Sequence, residues 1–407
     1  MISKGANING QDHLGNTPLH CAVEKNREDM VKVILKTKVK KFNKQNNNGR
    51  TPLHLACMKG HIDIAHHLLQ CNPDVNIRDN TGSTPLHVVC NEGDTDIVRL
   101  LLHLPNTNVS MADNDGNSPL HHAAHCGHTV IVRLLLHQTG IHLNIVSNSG
   151  DTPLHLAVLK QHYDVVALML SQSDVAVDIK NGNKMTPLLQ AISGGHLGMI
   201  HKLLSHGADI NAVDNDDNNC LHLAVKKGMF HSEGEALGIL DEFCTKLELS
   251  LENKLAGCVV AEYLAYHGAN FYHENKRKQT PMDLIEDPGL REKMKTFFPP
   301  PLPCMWCEEN KPTITFRPCG HSVICEECCS KIPLKKCPEC LLCITGKYGV
   351  DGSPFDAESI STCTICMERH WNMVFQCGHT TCKECGGKIN QCHLCRKTIE
   401  TKIIVRQ

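Results

Sequence analysis

Residues 113 to 136 read DNDGNSPLHHAAHCGHTVIVRLLL, and this stretch decides the architecture of the first two thirds of the chain. It opens on Asp113-Asn-Asp-Gly116, a hairpin tip in which Asn and Gly are expected to supply positive φ. Ser118 then precedes Pro119 and Leu120. A hydroxyl that caps free amides, a proline suited to the first helical position and a leucine aimed at a core together predict a helix start. Gly127-His128 interrupts that helix, and Ile131, Val132, Leu134, Leu135 and Leu136 recur at helical spacing to give a second one.

The same unit recurs along the chain. A Thr-Pro-Leu-His motif or its variant begins at Thr17, Thr51, Thr84, Ser118, Thr152 and Thr186, then as Asn219-Cys-Leu-His, with 33 or 34 residues between starts. Turn-rich segments such as Asn46-Asn-Asn-Gly49, Asp79-Asn-Thr-Gly82 and Ser147-Asn-Ser-Gly150 precede the motifs. This period and motif resemble the ankyrin repeat, which implies a mainly α solenoid over residues 1–296. Arrays of this kind bind through their hairpin tips and first-helix face, so the candidate partner surface is the concave side of residues 11 to 230.

Three irregularities interrupt the period. Ser3-Lys-Gly-Ala-Asn-Ile-Asn parallels Ser205-His-Gly-Ala-Asp-Ile-Asn, the close of a repeat, so the chain is expected to start in mid-repeat, as a fragment or truncated product of something longer. From Asn219 to Thr280 is 61 residues, and the excess predicts an insertion over about 230–254 between the two helices of one repeat. Val259 to Asn270 restores a second helix, and Thr280-Pro-Met-Asp-Leu starts a capping repeat. Phe297-Phe-Pro-Pro-Pro-Leu-Pro303 is read as a stiff joint, because three consecutive prolines cannot continue a helix.

Bulk composition narrows the function classes. The 407 residues carry a net charge of −2, which provides no global basic field for nucleic acid or an anionic membrane. No apolar run is long enough to span a bilayer, and Met1 to Gly10 lacks an apolar signal core, so a soluble intracellular chain is expected. Aromatic content is 4%, which suits small-residue repeats. Of 24 cysteines, eight are scattered before residue 300 and sixteen crowd between Cys304 and Cys395, mostly as Cys-x-x-Cys pairs. Without an export signal that density points to metal rather than disulfides.

Two clusters emerge. The first is Cys304, Cys307, Cys319, His321, Cys325, Cys328, Cys337 and Cys340; the second is Cys363, Cys366, Cys377, His379, Cys382, Cys385, Cys392 and Cys395. Zinc takes four tetrahedral N or S ligands, so seven thiolates and one imidazole per cluster hold two ions, four in the whole chain. Closed all-protein coordination makes these structural metals that supply much of the folding free energy of such short segments. Cys329 and Cys343 are left over in the first cluster, and a Cys340/Cys343 pair is the alternative to Cys337/Cys340 there. The domain reading is therefore finger 1 over 304–343, a linker over 344–362 and finger 2 with a tail over 363–407.

Both clusters resemble RING fingers, in which the ligand pairs interleave. The resemblance assigns Cys363, Cys366, Cys382 and Cys385 to one zinc and Cys377, His379, Cys392 and Cys395 to the other. In the first finger it pairs Cys304, Cys307, Cys325 and Cys328, then Cys319, His321, Cys337 and Cys340. The second finger is similar to C-terminal RINGs of ubiquitin ligases, and this implies a role for particular residues. Ile365, Ile389 and Leu394 would contact a ubiquitin-conjugating enzyme (E2), and Arg396 would bond both E2 and ubiquitin. The tail with Ile399, Ile403, Ile404 and Val405 would pack a RING homodimer and help hold donor ubiquitin. Departures are His393 after the seventh ligand, where such RINGs carry proline, and Trp306 and Leu341 at the matching E2-contact and arginine positions of the first finger.

The motifs Phe316-Arg-Pro-Cys-Gly-His321, Val350-Asp-Gly-Ser353 and Val374-Phe-Gln-Cys-Gly-His379 resemble those of the Mind bomb family of ligases, with two fingers as in its second type. That resemblance implies a cytoplasmic and endosome-associated RING-type E3 ubiquitin ligase without a covalent enzyme intermediate. It also implies substrates among the cytoplasmic tails of Delta-type Notch ligands, promoting their endocytosis. The alternative reading is a non-catalytic ankyrin and zinc-finger scaffold, or a truncated competitor of a full-length ligase. The histidine at the fourth motif position of the repeats is expected to bond neighbouring turns, and His125-Cys126-Gly-His128 to be an ordinary interhelix loop rather than a metal site.

Overall fold

The computed structural model describes residues 8–37, 42–231, 239–249 and 256–298, together with six short strands between 314 and 404. Six helix pairs follow in order: α1 (Pro18–Glu24) and α2 (Glu28–Leu35), α3 (Pro52–Lys59) and α4 (Ile62–Leu69), α5 (Pro85–Glu92) and α6 (Thr95–Leu102). Then come α7 (Pro119–Cys126) and α8 (Thr129–Leu136), α9 (Pro153–Leu159) and α10 (Tyr163–Leu170), α11 (Pro187–Gly194) and α12 (Leu197–Ser205). Each first helix packs on the first helix of the next repeat, and each second helix on the next second helix. The motif leucines, from Leu19 to Leu221, are buried in the resulting core.

The motif forms a helix for reasons visible at each residue. At Thr51 the backbone is extended, and its hydroxyl accepts from the His54 amide, while Pro52 occupies the first turn. His54 answers through Nδ1, which accepts from the Thr51 amide at 3.1 Å. This is a capping box with imidazole in the place usually held by Glu or Gln. It repeats at Thr17, Thr84, Ser118, Thr152 and Asn219. The other ring nitrogen ties repeats together: Nε2 of His20, His54, His87, His121 and His155 donates to a main-chain oxygen of the following repeat, at 3.0–3.1 Å. The sixth repeat carries Leu189 at this position, buried and without an imidazole to offer.

The hairpin tips depart from expectation in one respect. Positive φ is supplied by Gly15, Gly49, Gly82, Gly116 and Gly150, and by Lys184, Asp217 and Lys278 in the later tips, not by the tip asparagines. Asparagine instead builds a ladder. The Asn80 amide side chain donates to Asn47 O, Asn114 to Asn80 O and Asn148 to Asn114 O, at 2.9–3.0 Å. These residues form a bonded row because the repeat length returns each tip to the same height.

In the seventh repeat α13 (Cys220–Lys227) and α15 (Gly257–Tyr266) form the helix pair, and α14 (Ile239–Lys246) lies in the chain between them. Met229 and Ala256 form an antiparallel bridge, and the Gly257 amide donates to Gly228 O at 2.6 Å, so the extra segment leaves and rejoins the array at one place. A Cβ on Gly257 would lie 2.2 Å from Ala224 O, so only glycine allows this close approach of α15 to α13. The tips ignore the excursion: the Lys276 amide donates to Asp216 O at 2.9 Å.

A second unit comprises 270–274 and 279 onward. Its first helix is a single 3-10 turn, Pro281–Leu284, capped by Thr280 and Asp283. It stops at Ile285 and α16 (Pro288–Phe297) begins afresh with Asp287 as its cap, because the residue before a proline disfavours helix. Met282, Ile285 and Met294 are buried there, and Phe271 meets Phe298 with ring centroids 5.0 Å apart. The strands are β1 (Ile314–Arg317), β2 (Ser322–Ile324), β3 (Gly346–Tyr348), β4 (Met373–Phe375), β5 (Thr380–Thr381) and β6 (Lys402–Ile404). They form two three-stranded antiparallel sheets of identical order, β2-β1-β3 and β5-β4-β6.

Candidate metal centres

The strands frame the two clusters in the same way. β1 and β2 flank residues 318–321, the segment with Cys319 and His321, and β4 and β5 flank 376–379, with Cys377 and His379. The third strand follows the final Cys-x-x-Cys in each case and pairs with the first: Arg317 faces Gly346, and Phe375 faces Lys402. In each case a four-residue connection that carries Cys-Gly-His joins two antiparallel strands. The sixteen sequence-assigned ligands themselves lie outside the described residues, as do Ile365, Ile389, Leu394, Arg396, Ile399 and Val405. Ile403 and Ile404 lie in β6, in register with Val374 and Met373, so the tail adds a strand to the sheet of its own finger.

The chemistry of the donor set fits zinc. Each finger offers seven sulfurs and one imidazole, enough for two tetrahedral ions with no ligand position left for substrate. Bound metal would hold the fold and supply no chemical step.

The array's own histidines and cysteines do different work. In His20, His54, His87, His121 and His155 Nδ1 accepts from a backbone amide and Nε2 donates to a carbonyl, so neither nitrogen is left for a metal. Burial pushes His87 and His121 down to about 4, which keeps them in the neutral Nε2–H form these bonds require. In the His125-Cys126-Gly-His128 loop, the His128 Nε2 donates to Asn91 O at 3.1 Å and the Cys126 thiol to Asn91 Oδ1 at 3.5 Å. That is an interhelix contact between repeats, and among the described residues no group of three or more His, Cys, Asp or Glu is placed to hold a metal. Burial raises the thiols of Cys57, Cys90 and Cys220, which makes them poor nucleophiles.

Sequence reasoning missed two side-chain groups near the insertion. Lys246 of α14 reaches the buried Glu262 of α15, Nζ to Oε1 2.8 Å, and Phe243 packs edge-on against Tyr263 and Tyr266. The signal available was the spacing of Tyr263 and Tyr266 in an aromatic-poor chain. No helix of the described residues is long and apolar enough to cross a membrane.

Similarity to known proteins follows the same division. Residues 301–347 and 359–402 match the family described as zinc finger, C3HC4 type (RING finger). The chain is 28% identical over 269 residues to E3 ubiquitin-protein ligase MIB2 of Gallus gallus, across 48% of this chain and 28% of that protein. It is 46% identical over 50 residues to E3 ubiquitin-protein ligase mind-bomb of Drosophila melanogaster, covering 12% of this chain and 4% of that one. With E3 ubiquitin-protein ligase RGLG3 of Arabidopsis thaliana it shares 51% over 45 residues, 11% of this chain and 12% of the other. The chain thus spans less than a third of the length of each of these relatives. The family described as ankyrin repeats (3 copies) matches residues 1–79, 64–147, 86–181 and 173–234. That match takes in more than half of the sequence, and the chain belongs to the ankyrin-repeat family.

Proposed function

We propose that this chain is a RING-type E3 ubiquitin ligase in which the ankyrin array engages a protein and the second finger directs ubiquitin onto it. The observation that carries the proposal is the doubled finger: two RING matches, each with Cys-Gly-His between its first two strands and a third strand after its last ligand pair. The names of the relatives, all E3 ubiquitin-protein ligases, agree with it.

Four zinc ions would be held by the sixteen ligands named above. The strand spacing favours Cys337/Cys340 over Cys340/Cys343: β3 starts six residues after Cys340 and three after Cys343, against seven from Cys395 to β6. The zinc would contribute fold alone. A RING works by orientation, holding the E2–ubiquitin thioester near an attack-ready geometry. A substrate lysine amine then attacks the thioester carbonyl, an isopeptide bond forms and the E2 thiol leaves. Ile365, Ile389 and Leu394 serve as the E2 contact, and Arg396 bridges E2 and ubiquitin. The first finger, with Trp306 and Leu341 at the matching positions, supports the second.

By resemblance to the Mind bomb family, the substrates are cytoplasmic tails of Delta-type Notch ligands, met in the cytoplasm and at endosomes, and a homodimer forms through the tail with Ile399, Ile403 and Val405. The test is ubiquitin-chain formation by the purified chain with E1 and a panel of E2 enzymes. Ile365→Ala and Arg396→Ala each abolish it, while Trp306→Ala and Leu341→Ala are tolerated. Absence of zinc-dependent chains with every E2 overturns the ligase reading in favour of a scaffold.

A further inference from the structure

Residues 1–229 hold only Phe42 and Tyr163 among Phe, Tyr and Trp, whereas 230–266 hold four: Phe230, Phe243, Tyr263 and Tyr266. The last three gather where α14 meets α15. Phe243 lies 5.9 Å from Tyr263 and 5.8 Å from Tyr266, both edge-to-face, and His267 closes the group at 4.7 Å from Tyr263 and 5.9 Å from Tyr266. The cluster is anchored from below. Phe243 and Tyr263 are buried, and the Tyr263 hydroxyl bonds His201 Nδ1 at 2.9 Å. Tyr266 is 74% exposed, more than any other large hydrophobic side chain among the described residues.

We propose that Tyr266, backed by Phe243 and His267 and neighboured by Asp241 and Glu242 of α14, is a docking point for an arginine-bearing basic segment of a partner protein. An aromatic face held in place by edge-on neighbours attracts a cation at little ordering cost, and guanidinium stacks on it better than ammonium. The helix beside it, α14, carries charge of the right sign. Asp241 and the exposed Glu242 stand in the first turn of α14, directly before Phe243. The ammonium of Lys246, on the same helix as Phe243, is engaged with Glu262 at 2.8 Å. Burial lowers His267 below the ordinary histidine range, so it does not repel a cation at neutral pH.

The test is fluorescence anisotropy of the full chain with a labelled nonapeptide of alternating arginine and glycine, against a glutamine–glycine peptide of the same length. The arginine peptide binds, and more weakly as salt rises. Tyr266→Ala and Glu242→Lys each weaken binding by about fivefold or more, while Tyr266→Phe retains it. Both altered side chains are exposed, and unchanged far-UV circular dichroism verifies that the variants fold. Equal binding of the two peptides, or wild-type binding by both Tyr266→Ala and Glu242→Lys, overturns the proposal. Sedimentation that reveals a dimer lost in Tyr266→Ala overturns it too, because the occupant is then a second copy.

Discussion

Nε2 of His121 donates to the main-chain oxygen of Asp151 at 3.0 Å, one full repeat further along, while its Nδ1 accepts from the Ser118 amide. One imidazole thereby caps its own helix and fastens the next repeat. The arrangement holds only in the neutral tautomer, because a proton on Nδ1 would face an N–H donor. The pH dependence follows. Burial holds His87 and His121 at about 4 when folded, against 6.5 for the free side chain. The stability from their neutral state is present above pH 6.5 and is lost as pH falls toward 4. The urea midpoint, followed at 222 nm, is expected to drop steadily between pH 7 and pH 4.5. His121→Ala, which loses both bonds in a buried setting, costs about 2–4 kcal/mol at pH 7.5 and flattens part of that slope.

A pair of glycines separates backbone strain from crowding. Gly93 has φ of 90°, and a Cβ there would lie 2.5 Å from Cε1 of His128 in the next repeat. Gly207 has φ of 81° with nothing within 4 Å of the same position. Gly207→Ala should therefore lose about 1 kcal/mol, the conformational cost alone. Gly93→Ala should lose at least twice as much, since it also displaces His128 from its bond to Asn91 O. Equal losses in chemical denaturation would show that the ring moves aside freely.

Glu262 is wholly buried in α15 with Lys246 as its ionic partner, and burial raises its pKa. An acid raised on folding destabilises the native state as pH climbs above its unfolded value, near 4.5. Glu262→Gln keeps the shape and removes the desolvated charge, while the half-exposed Lys246 is left to solvent. The variant is expected to equal or exceed the wild type at pH 8, by up to about 1 kcal/mol, and that advantage is expected to vanish toward pH 4, where Glu262 is protonated. A large loss at pH 8 would mean that the ion pair holds α14 in place.

Metal removal should divide the chain. Dialysis against a strong chelator is expected to release about four zinc ions per chain, with loss of ubiquitin transfer. The cooperative helical transition of the array should survive at nearly the same urea midpoint. A midpoint that collapses with the metal would contradict this.

The fold was legible where period and chemistry coincide. Thirty-three or thirty-four residues per unit, a hydroxyl before Pro-Leu-His and a glycine after it fix the helix pairs, because caps and breaks are local. Cys-x-x-Cys spacing did the same for the fingers. The second job of the histidines was readable as a contact with a neighbouring turn, but its partner oxygen depends on how repeats stack. The tip asparagines look like turn formers in one dimension; only the stacked array makes them a ladder. The seat of α14 on α15 was missed: two tyrosines in an aromatic-poor chain hint at it, but an ion pair and three aromatic edges leave no period in sequence. Leu189 shows the limit from the other side: the missing imidazole is obvious in sequence, and what it unfastens appears only in three dimensions.

The base of the insertion has a mechanical meaning. Gly228 O meets the Gly257 amide at 2.6 Å, and the neighbouring tips are joined from Asp216 to Lys276. Tension applied along the array is expected to reach this closed base before the chain that it spans, from Gly228 to Gly257. Only when the base ruptures does the stored length pay out, adding about 100 Å of contour for the chain from Gly228 to Gly257. Pulled from either side of this junction, the array is expected to lengthen there in a single step.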